Sequence, residues 1–228
     1  MNYNNYLENR EKILNKSDWS LIDHWPLYAG KYNLARTINN IELIKQTINV
    51  PGDIMEFGCW KGSNLMLMAK TLDIFSPMSM KKLWGFDLFE GLDFFDEKDG
   101  SAKNLKGMYK GSENDLVKII KLFDYQGKIN LIKGNILESL PKILKEKEHI
   151  SLSLVYIDTD LYKTTELILN SLHERMMKGG LFVFDEFNHE TWPGETVAAR
   201  EFLKSHGKYY KVKSVSNSLQ PSLIIEKL

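Results

Sequence analysis

The chain predicts an α/β fold: a doubly wound, mostly parallel seven-stranded sheet with an antiparallel C-terminal hairpin and an N-terminal helical extension. Three observations carry this. Short apolar runs alternate about five times with stretches of helical periodicity. The last two apolar stretches follow each other with no helix between them. The 228 residues show no internal repeat, low-complexity tract or linker, which suits one large domain. Residues 1–50 are expected to form the helical extension, able to fold over a site as a lid, and residues 51–228 the domain proper.

The elements follow in order. In Asn39–Val50, Ile41, Leu43, Ile44 and Ile48 recur at helical spacing, and Pro51-Gly52 stops the helix. Asp53–Gly58 reads as a short buried strand. Gly62 opens a helix through Leu72, apolar at Leu65, Met68, Ala69 and Leu72. Leu83–Asp87 is a second strand. Leu88–Gly111 carries four glycines and mixed charge, and a loop of that length in a compact domain is usually functional or mobile. Ser112 and Glu113 begin a helix with Leu116, Ile119, Ile120 and Phe123 at its period. Lys128–Lys133 is a third strand. Leu137–Lys147 is a helix that tolerates Pro141 near its start. Leu152–Asp158 is the strongest strand. Leu161–Met176 reads as a helix stopped by Gly179-Gly180. Leu181–Asp185 is a buried strand and Thr196–Ser205 a helix. Tyr209–Ser214 and Ser222–Lys227 alternate as strands expected to pair antiparallel.

Composition excludes several classes. Lys plus Arg and Asp plus Glu number 30 each, so the formal charge is zero and nothing marks a nucleic-acid-gripping protein. Lys142, Lys145 and Lys147 interleave with Glu146 and Glu148, which reads as a solvated helix end. Cys59 is the only cysteine, so there is no intrachain disulfide and no cysteine-rich metal site. Its apolar and glycine flanks suit a packed thiol. Met1–Arg10 is polar and lacks the apolar run of a signal peptide, and no stretch is apolar for long enough to span a bilayer. A cytoplasmic protein is expected, with no membrane or nucleic-acid partner.

Ligands of open α/β sheets bind at the carboxyl ends of the strands. The first such end is Glu56-Phe57-Gly58-Cys59-Trp60-Lys61-Gly62. Its glycines allow close backbone approach, and the following helix offers free N–H groups. Trp60 stands where a dinucleotide fingerprint has the glycine that makes room for a pyrophosphate, so a nicotinamide dehydrogenase is disfavoured. No Gly-Lys-Ser/Thr follows, so this is no phosphate loop. Asp87, at the end of the second strand, can accept hydrogen bonds from both hydroxyls of a ribose; it also suits a surface acid or helix cap.

Asp158 ends the strongest strand, Asp160 follows two residues on, and Asp185 and Glu186 end the next strand. A right-handed strand–helix–strand crossover brings those ends to one rim. Four clustered acids need a proton, a basic partner or a metal to compensate them. Oxygen donors without Cys or clustered His favour Mg²⁺, Mn²⁺ or Ca²⁺ over zinc.

Glu56-Phe-Gly-Cys-Trp-Lys-Gly62, Gly85-Phe-Asp-Leu-Phe-Glu-Gly-Leu92, Tyr156-Ile-Asp-Thr-Asp-Leu-Tyr162 and Gly179-Gly-Leu-Phe-Val-Phe-Asp-Glu186 occur in that order. As a set they resemble the macrocin O-methyltransferase family over roughly residues 30 to 205. These are class I methyltransferases that modify sugar hydroxyls of macrolide, aminocoumarin and related glycosides. The resemblance implies a Rossmann-like fold, S-adenosylmethionine as cofactor and a divalent metal, Mg²⁺ first. It implies that Glu56, Gly58, Gly62 and Asp87 hold S-adenosylmethionine, with Glu56 and Gly58 facing the methionine part and Asp87 the ribose, and that Asn135 and Ile136 meet the adenine edge. It gives Asp158, Asp185 and Glu186 to the metal and Asp160 to the base. Leu88 and Asp93 replace the family's serine and proline in the loop that approaches the acceptor, and Asp185-Glu186 replaces its Asp-Asp pair. The acceptor and the metal geometry are where this chain departs.

Asp160 also fits the N-cap of the helix at Leu161. His189 suits an alternative base or an ordinary loop position. Trp192-Pro193-Gly194 suits an acceptor wall or a packing turn, and Tyr28 and Lys31 could reach the site from the extension. The expected activity is a metal-dependent O-methylation of a sugar on a glycosylated natural product or a surface-polysaccharide precursor. A catechol-type small-molecule O-methyltransferase and a non-catalytic methyltransferase-like binding protein are the competing readings. No Asn-Pro-Pro-Tyr-type motif for a flipped base is present. The expected partner is a small-molecule acceptor, and self-association into a homo-oligomer is left open.

Overall fold

A computed structural model describes residues 21–215 and 218–228. A short helix α1 (Trp25–Tyr28) leads into α2 (Lys31–Thr47). There follow β1 (Asp53–Phe57), α3 (Ser63–Phe75), β2 (Leu83–Asp87), a 3₁₀ segment (Glu97–Leu105), α4 (Glu113–Leu122), β3 (Ile129–Lys133) and α5 (Ile136–Glu146). Then come β4 (Leu152–Ile157), α6 (Tyr162–Leu172), β5 (Met176–Phe184), α7 (Pro193–His206), β6 (Tyr210–Ser214) and β7 (Leu223–Lys227).

The seven strands form one sheet in the order β3-β2-β1-β4-β5-β7-β6. Strands β1 to β5 pair in parallel, while β7 runs antiparallel to both β5 and β6. The order reverses between β1 and β4, the point at which open α/β sheets open a crevice for ligands.

Alternation along the strands builds a core on each face. Met55 and Phe57 join Leu140, Ile168, Leu169 and Phe202, so α5, α6 and α7 cover one side. Ile54 joins Leu43, Ile44, Leu65, Leu72 and Ile120, so α2, α3 and α4 cover the other. Glu56 lies on the latter side of β1 by the same alternation. Helix α2 starts eight residues earlier than its apolar spacing marks (Lys31 against Asn39), because its first turn is exposed and its polar residues carry no period.

Two expectations need correcting. The helix expected over Leu161–Met176 ends at Leu172, and Gly179-Gly180, expected to stop it, lie inside β5. The Leu152 N–H already donates to the Arg175 carbonyl at 2.9 Å, which commits the chain to the sheet while apolar Met176 and Met177 still mimic a helical run. The β4–β5 register then shifts between Leu152 and Leu154, and both glycines fall within that irregularity. The segment 88–111 is also less irregular than its composition suggests, since it contains the 3₁₀ turns.

Candidate active site

One cleft gathers most of the residues singled out above. It encloses about 1000 Å³ of open space, mouth included, at the carboxyl ends of β1 to β5. Gly58 and Trp60 reach it from β1, Asp87 from β2, Asn135 and Ile136 from β3, Asp158 and Asp160 from β4, and Asp185 and Glu186 from β5.

At the β1–β2 end the backbone does much of the work. Gly58 has φ +87°, and a Cβ there would stand 1.8 Å from the Asp158 carbonyl oxygen. Only glycine lets the β1 and β4 loops approach so closely. The Asp87 carboxylate accepts from Trp60 N–H at 2.7 Å and from Phe89 N–H at 2.5 Å, so it ties the two loops together and faces the cleft. Burial raises its pKa against these donors. Asn135 caps α5 by accepting from Leu137 N–H at 3.0 Å. Gly62 and Glu56 stand back from the lining. A Cβ on Gly62 would meet Leu116 Cδ1 at 2.2 Å, so Gly62 packs the turn against α4. Glu56 is fully buried; one oxygen accepts from Asn64 Nδ2 at 3.0 Å and the other has no partner. Burial pushes its carboxyl up to about 8.

At the β4–β5 end the acids converge on a cation that sequence reasoning missed. Arg36 Nη2 donates to Asp158 Oδ2 and to Asp185 Oδ1, each at 3.0 Å. Asp185 Oδ1 also accepts from the Tyr156 hydroxyl at 2.5 Å. Gln220, brought in by the loop before β7, accepts from Arg36 Nη1 at 3.2 Å and donates to Glu186. A further acid, Glu195 at the start of α7, is completely buried and accepts from Glu186 N–H at 2.8 Å. Burial raises Glu195 and Asp158 well above the ordinary carboxyl range, and it raises Asp185 and Glu186 as well. Asp160, buried with φ +63°, is pushed up to about 8 by burial and then by Glu186 and Asp185. Five carboxyl groups thus gather at one rim beside a single guanidinium that bonds two of them, and the excess negative charge must be met by protons or by bound cations.

The structure decides some of the open alternatives. The N-cap of α6 is Leu161, and the backbone N–H of Tyr162 donates to Asp99 Oδ1 at 2.7 Å, so Asp160 is not the cap. His189 sits 3.9 Å from Glu186 Oε2 with its side chain 52% exposed, and it does not line the cleft. Tyr28 and Lys31 do not line it either. Trp192 is buried and its ring lies 6.2 Å from that of Tyr109. Cys59 is a buried thiol, as expected. Arg36 gave no signal in sequence, since it lies ahead of the apolar spacing that marks the helix from Asn39. Glu195 and Asp99 gave none, because nothing local marks an acid as buried.

Asp158, Asp185 and Glu186 suit a divalent cation by donor chemistry, and Asp185 Oδ2 and Glu186 Oε2 are buried without a hydrogen-bond partner. As placed, no three such ligands among the described residues stand close enough together to hold one, and Arg36 fills the gap between the two aspartates.

A family model described as Macrocin-O-methyltransferase (TylF) matches residues 3–218. An 8-demethyl-8-(2,3-dimethoxy-alpha-L-rhamnosyl)-tetracenomycin-C 4'-O-methyltransferase of Streptomyces olivaceus is 23% identical over 176 residues, 72% of this chain and 64% of that protein. A demethyldecarbamoylnovobiocin O-methyltransferase of Streptomyces niveus is 25% identical over 174 residues, with the same two coverages. The chain therefore matches just under two thirds of the length of these relatives. The crystal structure of CalS11, a calicheamicin methyltransferase, superposes with a TM-score of 0.82 at 23% identity, covering 98% of this chain and 91% of that one. No helix among the described residues is long and apolar enough to cross a membrane.

Proposed function

The chain belongs to the macrocin O-methyltransferase family and has the class I methyltransferase fold, and on that premise we propose that it transfers a methyl group from S-adenosylmethionine to a sugar hydroxyl of a glycosylated natural product or surface-polysaccharide precursor. The observation that carries this reading is the single cleft that joins Asp87 on β2 to the acids of β4 and β5. Such a cleft can hold a donor and an acceptor end to end. Relatives named for methylating rhamnosyl and novobiocin scaffolds support the choice of acceptor.

The residues divide by position. Asp87 takes the ribose hydroxyls, Gly58 admits the methionine backbone, and Asn135 and Ile136 border the adenine. Glu56 and Gly62 shape the turn from behind. The sulfonium is a cation, and its arrival beside Asp158 and Asp160, whose burial and mutual repulsion favour their neutral forms, would favour their ionisation. Asp160, poised near neutrality, takes the proton of the acceptor hydroxyl. The oxygen then forms its bond to the methyl carbon as the carbon–sulfur bond breaks, releasing S-adenosylhomocysteine. Alignment in one cleft supplies much of the acceleration. We place the base role on Asp160 ahead of His189, which stands outside the lining. Asp158, Asp185 and Glu186 would hold Mg²⁺ or a similar ion, which supplies Lewis acidity to the acceptor hydroxyl when bound.

Transfer of labelled methyl to a panel of nucleotide sugars, glycosides and catechols tests this reading, with titration of S-adenosylmethionine and NAD beside it. Donor binding with label on a sugar supports it. Label on catechols alone moves the acceptor class, and NAD binding without donor binding refutes the activity.

A further inference from the structure

Three aromatic side chains at the cleft have no role in the chemistry above. Trp60, Phe94 and Tyr109 all line it, and each is about two-fifths exposed, at 42%, 44% and 43%. Each also has a left-handed backbone, with φ of 48°, 65° and 60°. That conformation costs a non-glycine residue on the order of 1 kcal/mol or more, and bulky residues rarely keep it without cause. Burial cannot be the cause here, because the rings stay open to the cleft.

Phe94 and Tyr109 belong to the 88–111 segment, which is built as a braced arm. Leu92 N–H donates to the Met108 carbonyl and Gly107 N–H to the Leu92 carbonyl, each at 2.9 Å. The two limbs lie so close that a Cβ on Gly91 would stand 2.5 Å from the Gly107 oxygen. Buried Asp99 pins the arm to the start of α6 through Tyr162 N–H at 2.7 Å. Trp60 Nε1 donates to the Lys110 carbonyl at 3.2 Å, and the Trp60 and Tyr109 rings meet edge to face at 5.7 Å. The arm therefore holds the Trp60 and Tyr109 rings in place before any ligand arrives, and the backbone of the same arm carries Phe94 to the cleft.

We infer that Trp60, Phe94 and Tyr109 form the acceptor platform, which takes the C–H face of a pyranose ring while its hydroxyls turn toward the carboxylates of β4 and β5. Aromatic faces carry partial negative charge and attract the weakly positive C–H bonds of a sugar face. Sugars present that apolar face and a polar rim together, and so does this wall of the cleft. Tyr109 joins the two halves, since it lines the same cleft as Asp158, Asp160 and Glu186. The platform deepens the proposed sugar methylation and rests on it for the identity of the acceptor.

Saturation-transfer NMR with methyl α-L-rhamnopyranoside, with and without S-adenosylhomocysteine, tests the platform without turnover. The full chain should saturate the ring C–H protons more strongly than the O-methyl group. Phe94→Gly and Tyr109→Gly each remove a ring and adopt the observed φ more readily than the residue replaced, so misfolding does not explain a loss. Each should cut the effect at least fivefold and leave S-adenosylhomocysteine affinity within twofold, while Tyr109→Phe should retain the effect. Absent or uniform saturation in the parent chain overturns the inference. So does saturation of catechol in place of the sugar, and so does a loss of S-adenosylhomocysteine affinity in the glycine variants, which would assign the rings to the donor. If S-adenosylhomocysteine fails to bind the parent chain while the sugar is still saturated, the methyl-transfer reading fails and the platform stands.

Discussion

Arg36 Nη2 lies 3.0 Å from Asp185 Oδ1, and the same nitrogen bridges to Asp158. A guanidinium thus occupies the space between two acids that would share a metal ion. Arg36 and a divalent cation should therefore compete. Arg36→Met should bind Mn²⁺ at least tenfold more tightly than the parent, with Arg36→Lys between them, read by the loss of free-ion EPR signal. Removing Arg36 leaves the buried Asp185 without its cation, so Arg36→Met should melt lower without metal and recover with it. Equal or weaker Mn²⁺ binding in Arg36→Met would show that Arg36 does not guard the site.

Asp160 faces the same acids without serving as a helix cap. Asp160→Asn keeps the size of the side chain and removes the proton acceptor. Methyl transfer should slow by roughly 10²- to 10⁴-fold, with S-adenosylhomocysteine binding unchanged. His189→Asn should stay within about threefold of the parent rate, because His189 does not line the cleft. The reverse pattern would move the base to His189.

Asp87 already accepts two backbone N–H bonds, and Asn retains only one acceptor oxygen. Asp87→Asn should weaken S-adenosylhomocysteine by about 10- to 100-fold, since charge-assisted hydrogen bonds contribute roughly 1.5–3 kcal/mol. Calorimetry decides it, and unchanged affinity would remove Asp87 from the donor site.

The fold was legible where periodicity is strong. β1 and β4 read correctly because buried parallel strands are short continuous apolar runs. The end of α6 did not, because Met176 and Met177 prolong an apolar pattern that the Arg175–Leu152 hydrogen bond interrupts. At the site, Asp158, Asp160, Asp185 and Glu186 were marked by their places at strand ends. Their compensating cation was not, since Arg36 lies 122 residues from Asp158 in the chain and only the packing of α2 brings it there. Gln220 and Glu195 were invisible for the same reason: burial is a property of the assembled sheet.

Glu56 gives a prediction that needs no ligand. It is fully buried on β1, and desolvation raises its carboxyl from 4.5 to about 8 against the hydrogen bond from Asn64. The folded chain therefore keeps a proton that the unfolded chain releases above about pH 4.5. Stability from this group is complete below that pH and is lost as pH rises through about 8. The slope reaches at most about 1.4 kcal/mol per pH unit within the window. Glu56→Gln copies the neutral acid and can still accept from Asn64 Nδ2. Its unfolding free energy, measured by urea titration, should match the parent near pH 5 and exceed it increasingly toward pH 8. Parallel curves across that range would mean that Glu56 is ionised in the folded chain and that its unpartnered oxygen has found a cation.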